Sequence, residues 1–231
     1  VIAVSAARLE MVFDKNNTQI EKTYIYLQRH YQRFQNSRML RLKLPTDPRW
    51  VNIVEKNIDD ILTDHAFCEQ KAASTAISLI VGFPEYTELV SEMTALVREE
   101  MGHFKMVHDL IIARGQTLGR DRKDSYVIAL LSFFPKGGSR TTQLVHRLLI
   151  AALIEARSCE RFRLLSEELE DTKLREFYKK LMISEAGHYT MFLKFARQYG
   201  DRKEVDEKWE SLLIFEAQIM KDLGNQQLIH G

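Results

Sequence analysis

The chain has 231 residues, 45% of them apolar, and a formal net charge of +1, so it can bury one sizeable core and carries no global field for a polyanion. Its two cysteines, Cys68 and Cys159, are too few for a disulfide framework, and no apolar run approaches the roughly 20 residues that span a bilayer. These features exclude the disulfide-stapled secreted class and the membrane-spanning class, and the expected location is the cytoplasm.

Residues 1–38 hold six Lys/Arg against three Asp/Glu and mix aromatic with basic side chains from Tyr24 to Phe34. They read as an N-terminal extension loosely attached to the main domain at 39–231, with a weak helix between Ile20 and Phe34. A basic arm for RNA and a helix packed on the domain are the alternatives. Leu44-Pro45-Thr46-Asp47-Pro48 is a stiff entry that no helix can cross.

A first long helix is expected over Asn57–Val81, ended by Gly82-Phe83-Pro84. Pro84 then opens a second, running to Ala113 before the cationic, glycine-terminated Arg114-Gly115. So short a turn makes the two antiparallel neighbours. Residues 115–141 are the longest connection, with a short helix over Ser125–Phe134. Helices three (Thr141–Glu170) and four (Lys173–Tyr199) form a second tight hairpin, and an amphipathic helix over Lys203–Leu223 follows. Two hairpins joined by one long crossover is the connectivity of a ferritin-like four-helix bundle, so the fold class is all-α, with an additional C-terminal helix.

Glu100-Met101-Gly102-His103 falls in helix two and Glu185-Ala186-Gly187-His188 in helix four. Residues three apart on a helix share a face, so each pair can aim a carboxylate and an imidazole at one point. A single Glu-x-x-His is weak evidence, since a surface pair or a satisfied core histidine explains it. Two, each in the second member of a hairpin and each within an apolar setting, point to a buried cation. The glycine before each histidine costs about 1 kcal/mol relative to alanine. A close approach to the backbone or a crowded helix crossing would account for it.

A two-metal site of this type also draws one carboxylate from each remaining helix. Helix one offers Glu69. Helix three offers Glu155 and Glu160; depth from the loops favours Glu160, which like Glu69 follows a cysteine, and leaves Glu155 as an outer partner or the carboxylate for Arg157 or Arg161. His65, one turn before Glu69, is suited to orienting it. Four carboxylates and two imidazoles suit iron or manganese, and oxygen chemistry favours two iron ions. Phe104, Phe162, Tyr189 and Phe192 are candidates for an apolar channel to them. From Arg114 to Arg147 there are seven basic residues against two acidic ones, a local patch in which Arg120, Arg122, Lys123, Lys136 and Arg140 are candidate RNA contacts.

Cys68-Glu69-x-Lys71-Ala72-Ala73, Glu99-Glu100-x-x-His103-Phe104, the run Ile154-Glu155-Ala156-Arg157-Ser158-Cys159-Glu160-Arg161-Phe162, and Ser184-Glu185-Ala186-x-His188-Tyr189 together resemble the tRNA 2-methylthio-N6-isopentenyl-adenosine hydroxylase family over about residues 39–225. Residues 1–38 show no counterpart. The resemblance implies a ferritin-like non-haem di-iron monooxygenase. Its substrate would be a tRNA carrying isopentenyl-modified adenosine next to the anticodon, hydroxylated with dioxygen and an external electron donor such as a reductase. It carries the iron ligands onto Glu69, Glu100, His103, Glu160, Glu185 and His188, with Glu155 the alternative to Glu160 in helix three. The rival readings are another di-iron oxygenase acting on a small apolar molecule, a ferroxidase or iron-storage bundle, and a tRNA-binding scaffold with structural histidines.

Overall fold

The computed structural model describes residues 40–224 and 228–230, all within the unit spanning Met39–Gly231; the expected extension over 1–38 lies outside the described residues. Trp50 opens a short helix, α1 (Trp50–Lys56), that the sequence reading missed. Asn57 ends it with a non-helical backbone (φ −135°, ψ 31°), its side-chain amide donating to the Ile53 carbonyl at 2.8 Å. α2 (Ile58–Gly82) then runs back through the domain, and residues 83–86 turn the chain into α3 (Thr87–Ala113).

Gly115 stops α3 with φ +74°, a conformation that side chains bearing a Cβ adopt at a cost, while the Gln116 amide donates back to the Ile111 carbonyl at 3.1 Å. The crossover carries α4 (Ser125–Leu131), shorter than the expected Ser125–Phe134, and leads to α5 (Arg140–Glu168). α6 (Thr172–Tyr199) returns antiparallel to α5, and α7 (Arg202–Leu223) lies outside the bundle against α4, α5 and α6. The last four helices start on a side-chain oxygen that accepts from a first-turn amide, at Asp124, Ser139, Asp171 and Asp201. Such caps satisfy donors that have no partner inside the helix.

The hairpins α2–α3 and α5–α6 make the most extensive contacts, joined by layers such as Leu62, Ala66, Val107 and Ile111 with Phe104 and Phe177 against them. α5 differs from the other helices in being buried on nearly every side between Leu144 and Leu165. One face looks into the bundle and the opposite face meets α7, α4 and the segment around Thr46. Both a bundle-facing and an outward-facing carboxylate on this helix are therefore out of water. No described helix is long and apolar enough to cross a membrane.

Candidate metal centre

Halfway along the bundle, acidic side chains from all four long helices converge. Glu69 of α2, Glu100 and His103 of α3 and Glu185 of α6 offer ligand atoms within 4.8 Å of one another. Glu100, Glu155 of α5, Glu185 and His188 of α6 form a second such set. Glu100 and Glu185 belong to both, so two cations held here would share these two carboxylates, each with one further carboxylate and one imidazole of its own. The helix ends explain the level at which they meet. Glu69 lies thirteen residues before the end of α2 at Gly82, and Glu155 thirteen before the end of α5 at Glu168. Glu100 and Glu185 each lie thirteen residues after their helix starts, at Thr87 and Thr172. At 1.5 Å per residue, equal counts from the hairpin ends bring all four to one height.

Glu160 does not join them, which corrects its expected place. Its Oε1 accepts from the Thr46 amide at 2.9 Å, and its Oε2 accepts from the Thr46 hydroxyl at 2.6 Å and from Arg157 at 3.0 Å. Depth counted from the Thr172 junction favours Glu160, whereas α5 stops at Glu168 and nearly the same depth then falls at Glu155. Five residues also turn a helix by roughly 140°. Glu155 thus faces the bundle while Glu160 takes the Arg157-pairing role expected of Glu155.

His65 is fully buried, with Nε2 2.7 Å from Glu69 Oε1, in the expected orienting position. Burial lowers its imidazole to about 3, so it is neutral at physiological pH.

The cluster is electrostatically incomplete on its own. Burial pushes the Glu69 and Glu155 carboxyls well up. Burial also opposes charge on Glu100, but hydrogen bonds with His103 and His188 outweigh it and draw its carboxyl far down. For His103 burial again opposes charge and the carboxylates win, lifting the imidazole to about 10; His188 rises for the same reasons. Glu100 Oε1, Glu185 Oε1 and both His188 ring nitrogens are buried without a properly aligned hydrogen-bond partner, although His188 Nδ1 lies only 2.9 Å from Glu100 Oε1. Buried polar atoms in this condition are costly. Hard oxygen donors with two imidazoles, left unsatisfied around one volume, fit a pair of iron ions.

The histidine shifts set a pH dependence. In the metal-free protein at neutral pH His103 holds a proton that a metal must displace, so apparent affinity should climb with pH, by about tenfold per unit for each proton released, until the medium reaches about 10. Co2+ titrations at pH 6.5, 7.5 and 8.5 check this, and a flat profile would contradict it. Without metal the sign for folding is opposite. The raised His103 value stabilises the fold fully below the ordinary imidazole range, and that contribution disappears as pH rises through about 10.

A cavity of about 330 Å³ opens onto one side of the cluster. Glu69, Glu155 and Glu185 form its floor, Ala72, Val127, Ala151, Ile154, Phe162 and Phe192 much of its wall, and Lys71, Arg122 and Lys123 its rim. Of the expected channel residues Phe162 and Phe192 line it. Phe104 instead stacks on His108 and Tyr189 packs near Trp209. Among the candidate RNA contacts, Arg122 pairs with Asp60 at 2.8 Å and Arg140 with Glu85 at 2.8 Å. Arg120, Lys123 and Lys136 are exposed with no acidic partner among the described residues.

Two features escape the sequence. His230 closes part of the cavity wall, with Nε2 3.0 Å from the Ser158 hydroxyl and Nδ1 3.1 Å from Asp124 Oδ2, while the Ile229 amide donates to Asp64 at 2.7 Å. No local signal marks contacts made over such separations. The second is Glu99, beside the outer nitrogens of His103 and His188, for which a spacing of four residues before His103 was available. The glycines have neither expected cause: a Cβ at Gly102 or Gly187 would meet nothing within 4 Å, and nothing in the structure explains them.

A family model described as tRNA-(MS[2]IO[6]A)-hydroxylase (MiaE) matches residues 29–231. The match takes in the last ten residues of the stretch expected to lack a counterpart. A tRNA 2-(methylsulfanyl)-N(6)-isopentenyladenosine(37) hydroxylase of Pseudomonas putida is 35% identical over 82% of this chain and 91% of its own length. Its namesake from Salmonella typhimurium is 28% identical over 68% and 75%. Among solved structures, a Synechococcus protein with aldehyde deformylating oxygenase activity superposes with a TM-score of 0.77 at 33% identity, covering 82% of this chain and 95% of that one.

Proposed function

The chain belongs to the tRNA-(MS[2]IO[6]A)-hydroxylase family, and from that premise we propose that it hydroxylates the isopentenyl group of modified adenosine next to the tRNA anticodon, at two iron ions held by Glu69, Glu100, His103, Glu155, Glu185 and His188. In balance, a C–H bond, dioxygen, two electrons and two protons become an alcohol and water. An external donor supplies the electrons. Bound iron would supply dioxygen activation, a step no side chain here can perform.

The protein's own contribution is positional. Glu100 and Glu185 would serve both metal ions, and His65 holds Glu69 in place from behind. The single observation that carries the substrate assignment is the cavity: an apolar wall, three of the four ligand carboxylates at its floor and cationic side chains at its rim. At 330 Å³ it belongs with the smaller ligand pockets, about 300–1,000 Å³, which suits one splayed-out prenylated base. The wall keeps water from the reacting carbon. The phosphates outside would meet Arg120, Lys123 and Lys136, whose charges no described acid neutralises, more than the paired Arg122 and Arg140.

Aerobic turnover with a reductant on tRNA bearing isopentenyl-adenosine, followed by nucleoside mass analysis, tests the proposal. We expect the gain of one oxygen atom, labelled when 18O2 is supplied and dependent on iron. Protein loaded with two irons that yields no such nucleoside would redirect the assignment to another substrate. Ala72→Phe, which fills the cavity wall and replaces no ligand, should keep the iron and lose most of the turnover.

A further inference from the structure

On the side of the cluster away from the cavity, one side chain addresses both histidines. His103 and His188 turn their Nδ1 atoms towards the carboxylates, 3.4 Å and 2.9 Å from Glu100, and so leave Nε2 facing outwards. There each meets a different oxygen of Glu99: His103 Nε2 is 4.0 Å from Oε1 and His188 Nε2 is 3.4 Å from Oε2. Ser184, next to Glu185 on α6, donates its hydroxyl to Glu99 Oε1 and ties this α3 carboxylate across the helix boundary.

His188 Nε2 is fully enclosed and has no aligned hydrogen-bond partner, so Glu99 is the acceptor within reach. Separations of 3.4 and 4.0 Å are those of ion pairs rather than of short hydrogen bonds. Glu99 is half exposed while both rings are buried, so its position is not dictated by packing.

We propose that Glu99 is a positioning residue shared by the two halves of the metal centre, fixing both imidazoles with Nδ1 inward by accepting an N–H from the outer nitrogen of each. A neutral imidazole that donates from Nε2 is obliged to present Nδ1 as its lone pair, so a carboxylate on the outer side selects the ligating form and raises its basicity. One carboxylate serving two rings makes the metal positions interdependent, and its loss should weaken both. This rests on the metal-centre reading above.

The test is Co2+ titration of the metal-free protein, followed by its ligand-field absorption, for the wild type, Glu99→Ala, Glu99→Gln and Glu92→Ala. Glu92→Ala removes another exposed carboxylate from the same helix and serves as the control for net charge. We expect Glu99→Ala to bind both ions about 10- to 100-fold more weakly and to shift the absorption bands. Glu99→Gln, whose amide oxygen still accepts from one ring, should fall between, and Glu92→Ala should match the wild type. The melting temperature of metal-free Glu99→Ala should stay close to the wild-type value; if that variant does not fold, Glu99→Gln alone decides through the same titration. Wild-type affinity and spectrum in the folded Glu99 variants would overturn the positioning role while leaving the metal centre standing. A wild type that binds no Co2+ at all would overturn both.

Discussion

Glu155→Ala should reduce iron from two ions per chain to about one and abolish hydroxylation, whereas Glu160→Gln should keep both ions and most of the activity. Glu155 contributes to only one of the two ligand sets, the one containing His188, so its removal strips a terminal carboxylate from a single position. Partners of metal ligands already cost about 10- to 100-fold when lost, and a direct ligand should cost at least that much. Glu160 faces the other way, accepting from Thr46 and Arg157. A neutral amide there weakens charge-assisted hydrogen bonds, an effect of about 1–3 kcal/mol on folding. Iron analysis, turnover and a denaturant titration on the two variants separate these outcomes. The opposite pattern, iron lost from Glu160→Gln and retained by Glu155→Ala, would return the ligand to position 160.

The contrast between these neighbours marks where sequence reasoning stops. Glu-x-x-His in α3 and α6 is legible because residues three apart on a helix must share a face, whatever surrounds them. Glu69 is legible because α2 has a polar side against which a buried carboxylate stands out. α5 offers no such contrast. Most of its side chains from Leu144 to Leu165 are buried, by the bundle on one side and by α7, α4 and the entry segment on the other, so periodicity names no inner face. Only the helix ends decide, and counting from Thr172, four residues past the end of α5 at Glu168, is enough to shift the choice between candidates five apart. The fold itself was readable from glycine and proline punctuation and from loop lengths. Asp64, Asp124 and Ser158 meeting residues 229 and 230 could not be read, because tertiary packing alone sets those pairs. Glu99 did leave a trace, one turn before His103, but the duplicated Glu-x-x-His pairs drew the reading to Glu100.

Arg157→Met should destabilise the metal-free protein by about 3–5 kcal/mol, enough to threaten a fold whose total stability is of order 5–15 kcal/mol. The guanidinium is fully buried and bonds to four residues in three parts of the chain. Nε and one terminal nitrogen donate to Glu216 of α7 at 2.9 and 2.5 Å, the other donates to Glu160 and the Thr46 hydroxyl at 3.0 and 3.2 Å, and the Leu44 carbonyl accepts at 3.0 Å. Tyr126 of α4 adds its hydroxyl to Glu216 at 3.3 Å. Methionine would occupy much of the volume but leave two buried acids facing one another with no cation between them. The arithmetic changes when the partner is removed as well: Arg157→Met with Glu216→Leu eliminates one of the two stranded charges, and buried pairs replaced by apolar groups are often close to neutral. The double variant should therefore recover most of the loss, with Glu160 still holding Thr46. Urea titrations of the wild type, both single variants and the double variant give the coupling directly. Additive losses would mean that Arg157 and Glu216 act independently and that the contact between α5 and α7 is held by apolar packing.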